Sequence, residues 1–116
     1  MTQTFVYVTD TVEFIHQYKD APEEVAYLRN LHRHLAYYKV SIEVFHDDRE
    51  IEFIMLKNQL SGFTHNTDHD LNCSCEQFAK QLLEWVQFYY GKHRDVKIEV
   101  NEDGENGVEL IYRKES

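Results

Sequence analysis

Proline is almost missing from this 116-residue chain, at one residue, and glycine is sparse, at four. A collagen-like or low-complexity chain is thereby excluded, because both need these residues in bulk. Cysteine is scarce too: Cys73 and Cys75 stand too close together to staple a fold, so no disulfide framework is implied. Lys and Arg number 12 against 21 Asp and Glu, a formal charge of −9. Binding a phosphate backbone needs clustered basic residues, so no nucleic-acid partner is expected. No apolar run approaches the roughly 20 residues of a membrane span, and the N-terminus lacks a basic-then-apolar signal pattern. The chain therefore reads as cytoplasmic with no membrane partner, and the Asn72-Cys73-Ser74 glycosylation match carries no meaning there.

What is present is apolar and aromatic: 42% hydrophobic residues, with eight Tyr and seven Phe. That composition belongs to a folded globular chain rather than a disordered one. Its length suits a single domain over residues 1–116. Val6, Val8, Val12, Phe14 and His16 fall on even positions, broken by Asp10, which predicts a strand or a bent pair of strands ending at His16. Asp20-Ala21-Pro22-Glu23 predicts a short helix from about Pro22 to Asn30, with Asp20 as its N-cap.

The longest alternation follows. His32, His34, Ala36, Tyr38, Val40, Ile42, Val44 and His46 share one face, and Lys39, Ser41 and Glu43 occupy the other. Asp47-Asp48-Arg49 reads as a turn, Met55–Leu60 as potentially helical, and the polar stretch Ser61–Leu71 as a loop. Ser74 with Gln77 forms a capping box ahead of Phe78, Ala79, Leu82, Leu83, Val86 and Tyr89 at helical spacing. That helix ends near Tyr90, at Gly91. Val96, Ile98 and Val100, a turn rich in Asp, Asn and Gly, and Val108–Tyr112 make a hairpin with a long loop. The fold class is α+β: an antiparallel sheet with helices on one side.

Three histidines stand out in this pattern. On a strand His32 and His34 project from one face, and His16 ends a neighbouring alternating segment. Two adjacent imidazoles and a third from another strand make a three-His zinc site with one position open. The competing reading is core or surface histidines bonded to carbonyls. Glu102 continues the parity of Val96, Ile98 and Val100, so a carboxylate ends an apolar row and needs a partner there. Its competing reading is an acidic loop residue, since Asp103, Gly104 and Glu105 follow.

The motifs line up, in order, with one family. Val12-Glu13-Phe14-Ile15-His16, the His32-Arg33-His34 pair, Glu52-Phe53-Ile54-Met55-Leu56-Lys57, Asp68-His69-Asp70-Leu71-Asn72, the Ser74-Cys75-Glu76-Gln77-Phe78-Ala79 helix start and Glu102 together resemble the 6-pyruvoyltetrahydropterin synthase and 6-carboxytetrahydropterin synthase family. The resemblance covers most of the chain. It implies the tunnelling fold (T-fold): a four-stranded antiparallel sheet with two main helices on one face. It also implies Zn2+ on His16, His32 and His34, with Glu102 accepting the ring donors of a pterin or purine-like ligand. Asp68 and His69 would then act as catalytic acid–base helpers. The implied activity is that of a carbon–oxygen lyase acting on 7,8-dihydroneopterin triphosphate or a related pterin, in a homo-oligomer whose active sites lie between subunits.

The pattern departs from the family at one decisive place. Four residues before the first histidine of the pair, where the family carries its catalytic cysteine, this chain has Leu28. Glu23, Glu24, Cys73 and Cys75 are the candidate substitutes for the missing base. Three readings compete: a zinc lyase, a T-fold module that binds a pterin, purine or nucleotide without turnover, and a structural subunit with no ligand.

Overall fold

The computed structural model describes residues 1–66 and 71–115. Among the described residues, four strands form one antiparallel sheet in the order β1-β2-β3-β4, with β1 at Thr4–His16, β2 at His32–Val44, β3 at Val96–Glu102 and β4 at Asn106–Tyr112. Helices α1 (Phe53–Thr64) and α2 (Cys75–Tyr90) lie between β2 and β3 in the chain, and a 3-10 helix at Glu23–Arg29 links β1 to β2. The expected α+β class and the alternation of the strands hold, except that β2 ends at Val44, so His46 falls in the bend beyond the row it was read with.

The even rows make the core. Phe14 on β1, Ala36, Val40 and Ile42 on β2, and Val96, Ile98 and Val100 on β3 are fully buried. Leu56 and Leu60 of α1 and Phe78, Ala79, Leu82 and Val86 of α2 close over them. α1 packs on β1, and α2 lies across β3 and β4. Phe14 meets Phe78 edge-on at 5.1 Å, the offset geometry aromatic quadrupoles favour. The odd rows form the opposite face, where Tyr7, Ile15, Leu35, Tyr37 and Ile111 remain exposed.

Local chemistry explains the helix ends. Ser74 Oγ accepts from Gln77 N at 3.1 Å while Gln77 Oε1 accepts from Ser74 N at 2.9 Å, so the expected capping box forms. Gly91 ends α2 at φ 84°, a backbone conformation L side chains resist. Glu52 caps α1 by accepting from Ile54 N and Met55 N, and the helix then runs on through Ser61 and Gly62 to Thr64, where a loop was expected. Burial explains the extension: Leu60 and Thr64 lie on the core side, and Thr64 Oγ1 meets the Tyr38 hydroxyl at 3.0 Å. The segment after Pro22 is 3-10 rather than α. It has no side-chain cap and Val25 sits at φ −130°, and its shape rests on Tyr18 N to Leu28 O at 2.7 Å and on Arg29 bonding the Ala21 carbonyl. The β3–β4 loop is also shorter than expected, at Asp103, Gly104 and Glu105. Asp103 and Gly104 both take positive φ (58° and 77°), which a tight Asp-Gly turn requires.

At the end of the sheet holding Thr4 and Val44, a polar lock ties both chain ends to β2 and β3. Gln3 Nε2 donates to Glu43 at 2.9 Å and to Asp95 at 2.7 Å, and Lys114 Nζ donates to both Glu43 oxygens at 2.8 and 2.9 Å. Burial acts to raise the Glu43 pKa, but the hydrogen bonds from Lys114, the Asp95 N–H and Gln3, with the Lys114 charge, outweigh it and hold the carboxyl low. Asp95 is held low by Gln3 and the Lys114 N–H. Carboxyls depressed by folding stabilise the native state above their unfolded pKa and lose that contribution as pH falls through the folded value. Thermal melts should therefore hold from pH 7 to about pH 5 and drop below about pH 4. In Lys114→Gln the melting temperature at pH 7 should be lower and the acid drop smaller, because Glu43 is then less depressed, and melts across that range would read both.

Candidate metal centre

The β1–β2 ladder pairs His16 with His32 and Phe14 with His34, so the last turn of alternation on each strand meets at one rim of the sheet. Ring centroids lie 4.5 Å apart for His16 and His32, 4.9 Å for His32 and His34 and 5.4 Å for His16 and His34. One ligand nitrogen from each falls within 4.8 Å of the others. These three residues can hold a metal ion. The β2–β3 ladder sets Glu102 opposite Ala36, on the same face and one step from His34. Its Oε1 lies 3.3 Å from His16 Nε2 and its Oε2 lies 3.5 Å from His34 Nε2.

The tautomers follow from the partners. His16 Nδ1 is 2.9 Å from the Cys73 carbonyl oxygen, His32 Nδ1 is 2.8 Å from the Asn30 carbonyl oxygen, and His34 Nδ1 is 2.6 Å from Asp103 Oδ2. Each partner only accepts, so each Nδ1 carries a proton and donates, and in a neutral imidazole so oriented Nε2 is the atom left to ligate. His16 Nε2 is buried without a hydrogen-bond partner. Buried polar atoms in native proteins are satisfied, and a cation among the three Nε2 atoms would satisfy this one. Donating Nδ1–H to a carbonyl or carboxylate is also how metal-ligating imidazoles are oriented. The donor set fits Zn2+, which takes imidazole nitrogen readily.

Asp103 has a second task at this rim, accepting from Leu35 N at 2.9 Å. The hydrogen bonds from His34 and from the Leu35 N–H hold its carboxyl below the ordinary Asp value. The left-handed Asp103 backbone described above is what turns its side chain back across β2 to reach both groups.

The centre opens on a cleft of ≈ 640 Å³ lined by His16, His32, Glu102, Leu28, Cys73 and Cys75, with Asn72 and Val108 among its other walls. That volume lies within the range of small-molecule sites. Leu28 thus presents an apolar side chain to the cleft. Cys75 Sγ lies 3.8 Å from Glu102 Oε1. Burial, reinforced by the Glu102 carboxylate, pushes the Cys75 thiol up to about 12, so at neutral pH it is a neutral donor rather than a thiolate. Glu23 does not line the cleft and instead pairs with Arg29 at 3.1 Å on the surface, and Glu24 is exposed. Asp68 and His69 lie outside the described residues. His46, His65 and His93 stand elsewhere: His46 Nδ1 accepts from Asp48 N, His65 caps α1, and His93 stacks on Phe45.

Reasoning from the sequence passed over three contributors, Asp103 and the carbonyls of Cys73 and Asn30. Asp103 carried a signal, as an Asp-Gly turn at the end of the row that aims Glu102. The carbonyls carried none, because any residue supplies one.

Chelator-stripped protein should take up about one zinc per chain by elemental analysis, and a double His32→Ala, His34→Ala variant should take up none. Asp103→Asn keeps a residue that tolerates positive φ but cannot serve both His34 and Leu35 as an anion. It should weaken zinc binding about tenfold in a competition titration, with the circular dichroism unchanged. The chain matches no protein-family model and no curated protein.

Proposed function

We propose that the chain is a zinc-dependent, T-fold protein of the 6-pyruvoyl-/6-carboxytetrahydropterin synthase type that binds a pterin or purine-like ligand in the cleft beside His16, His32 and His34. The observation that carries this reading is the convergence of three Nε2 atoms, oriented by three acceptors, at the mouth of a cleft that ends in a carboxylate. A zinc ion held there supplies a Lewis acid for a hydroxyl or carbonyl of the ligand. Glu102 suits the flat edge of an aminated heterocycle, whose neighbouring N–H donors a carboxylate accepts in pairs. The sequential sheet order with both main helices between β2 and β3 on one face supports the T-fold. An assembly with sites between subunits is supported by β1 and β4, which end the sheet as unpaired edges, and by the exposed aromatic and aliphatic residues of its odd face.

Two chemistries fit this cleft, and Leu28 and Cys75 favour the quieter one. Leu28 neither accepts nor donates a proton, and the Cys75 thiol is held neutral. Binding without turnover is therefore the leading reading. The lyase reading, on 7,8-dihydroneopterin triphosphate, draws its base from Asp68 and His69.

Isothermal titration of the zinc-loaded protein with a panel of reduced and oxidised pterins and guanine nucleotides should give saturable binding to at least one, abolished by chelation. No affinity across the panel overturns the reading. Incubation with dihydroneopterin triphosphate should leave the substrate intact; a 6-pyruvoyl or 6-carboxy product would move the assignment to the lyase.

A further inference from the structure

Glu102 stands closer to the imidazoles than a ring anchor needs to. We propose that its carboxylate is the fourth donor of the metal centre, so that the ligand-free protein holds its ion in a closed set of three nitrogens and one oxygen.

The distances carry this. Bonds of ~2.0–2.1 Å around a tetrahedral ion place neighbouring donors roughly 3.3–3.5 Å apart; one Glu102 oxygen, Oε1, lies 3.3 Å from His16 Nε2 and the other, Oε2, lies 3.5 Å from His34 Nε2. Hydrogen bonds to a carboxylate are shorter than this, and His16 Nε2 is buried without a hydrogen-bond partner although the carboxylate lies beside it. With each Nδ1 engaged by its own acceptor, a cation between these atoms would meet the imidazoles and the carboxylate together.

Charge points the same way. Three neutral imidazoles leave a divalent ion with its full charge in a half-buried rim, and one carboxylate halves it. Among the described residues no Lys or Arg pairs with Glu102, and its remaining polar neighbour, Cys75 Sγ at 3.8 Å, is a long, weak donor.

This inference rests on the three-His reading of the centre and deepens it. A carboxylate engaged on the ion cannot also offer both oxygens to a heterocycle. Ring binding then draws Glu102 off the metal and frees a position for an oxygen of the same ligand. The cleft would thus open its metal only to molecules that carry both the paired N–H donors and a ligating oxygen.

Cobalt(II) substitution tests this on the full chain. Wild-type protein should bind about one Co2+, with the intense visible bands of a four-coordinate ion, and added azide should leave those bands unchanged. Glu102→Gln and Glu102→Ala should shift the bands and weaken Co2+ binding at least about tenfold, and Glu102→Ala should respond to azide. Unchanged bands and affinity in Glu102→Gln would overturn the fourth-donor assignment while the three-His centre stood. If neither variant folds, an azide-induced band shift in the wild type overturns it instead. Failure of wild-type protein to bind Co2+ would sink the metal centre itself, and this inference with it.

Discussion

The register of the β1–β2 ladder is the constraint on which the centre depends. Thirteen consecutive pairs, from Thr4↔Val44 to His16↔His32, align two long strands. A shift of one residue would carry His32 and His34 to the other face of the sheet. The core prevents that shift. The row that ends in His32 and His34 also contains Ala36, Tyr38, Val40 and Ile42, all buried under the helices. Moving the imidazoles would expose that row to water and set Lys39 against the helices in its place.

Stability and reactivity are separated along this ladder. One end is closed by the Gln3, Glu43, Asp95 and Lys114 network, which satisfies two buried carboxylates and ties the terminal segments to the sheet. The middle is apolar. The other end gathers three imidazoles that can hold a metal ion, with the Glu102 carboxylate beside them.

Leu28 and a neutral Cys75 thiol line the cleft beside the centre, together with Tyr18, Lys19 and Glu76, and the Glu102 carboxylate leans on the imidazoles. The Asp103 turn ties the hairpin to β2, because one side chain bonds both His34 and the Leu35 N–H.

Much of this could be read from residue order, because a strand has a period of two wherever it occurs. The even parity of Phe14, His16, His32, His34, Val100 and Glu102 set their common face before any strand was paired, and the Ser74–Gln77 box marked the start of α2. Helix type and loop length were less legible. Val25 breaks an otherwise helical segment, α1 gains its last turn from burial of Leu60 and Thr64, and Asp103-Gly104 shortens a hairpin that composition alone made look long. What sequence order could not decide was how near the groups on that common face would come. The partners of His16 and His34 lie 57 and 69 residues away along the chain, and only strand pairing and the packing of α2 on β3 bring such distant segments within hydrogen-bond reach. Parity is a local property of the backbone; the 3.3 Å between Glu102 and His16 is a property of the folded sheet.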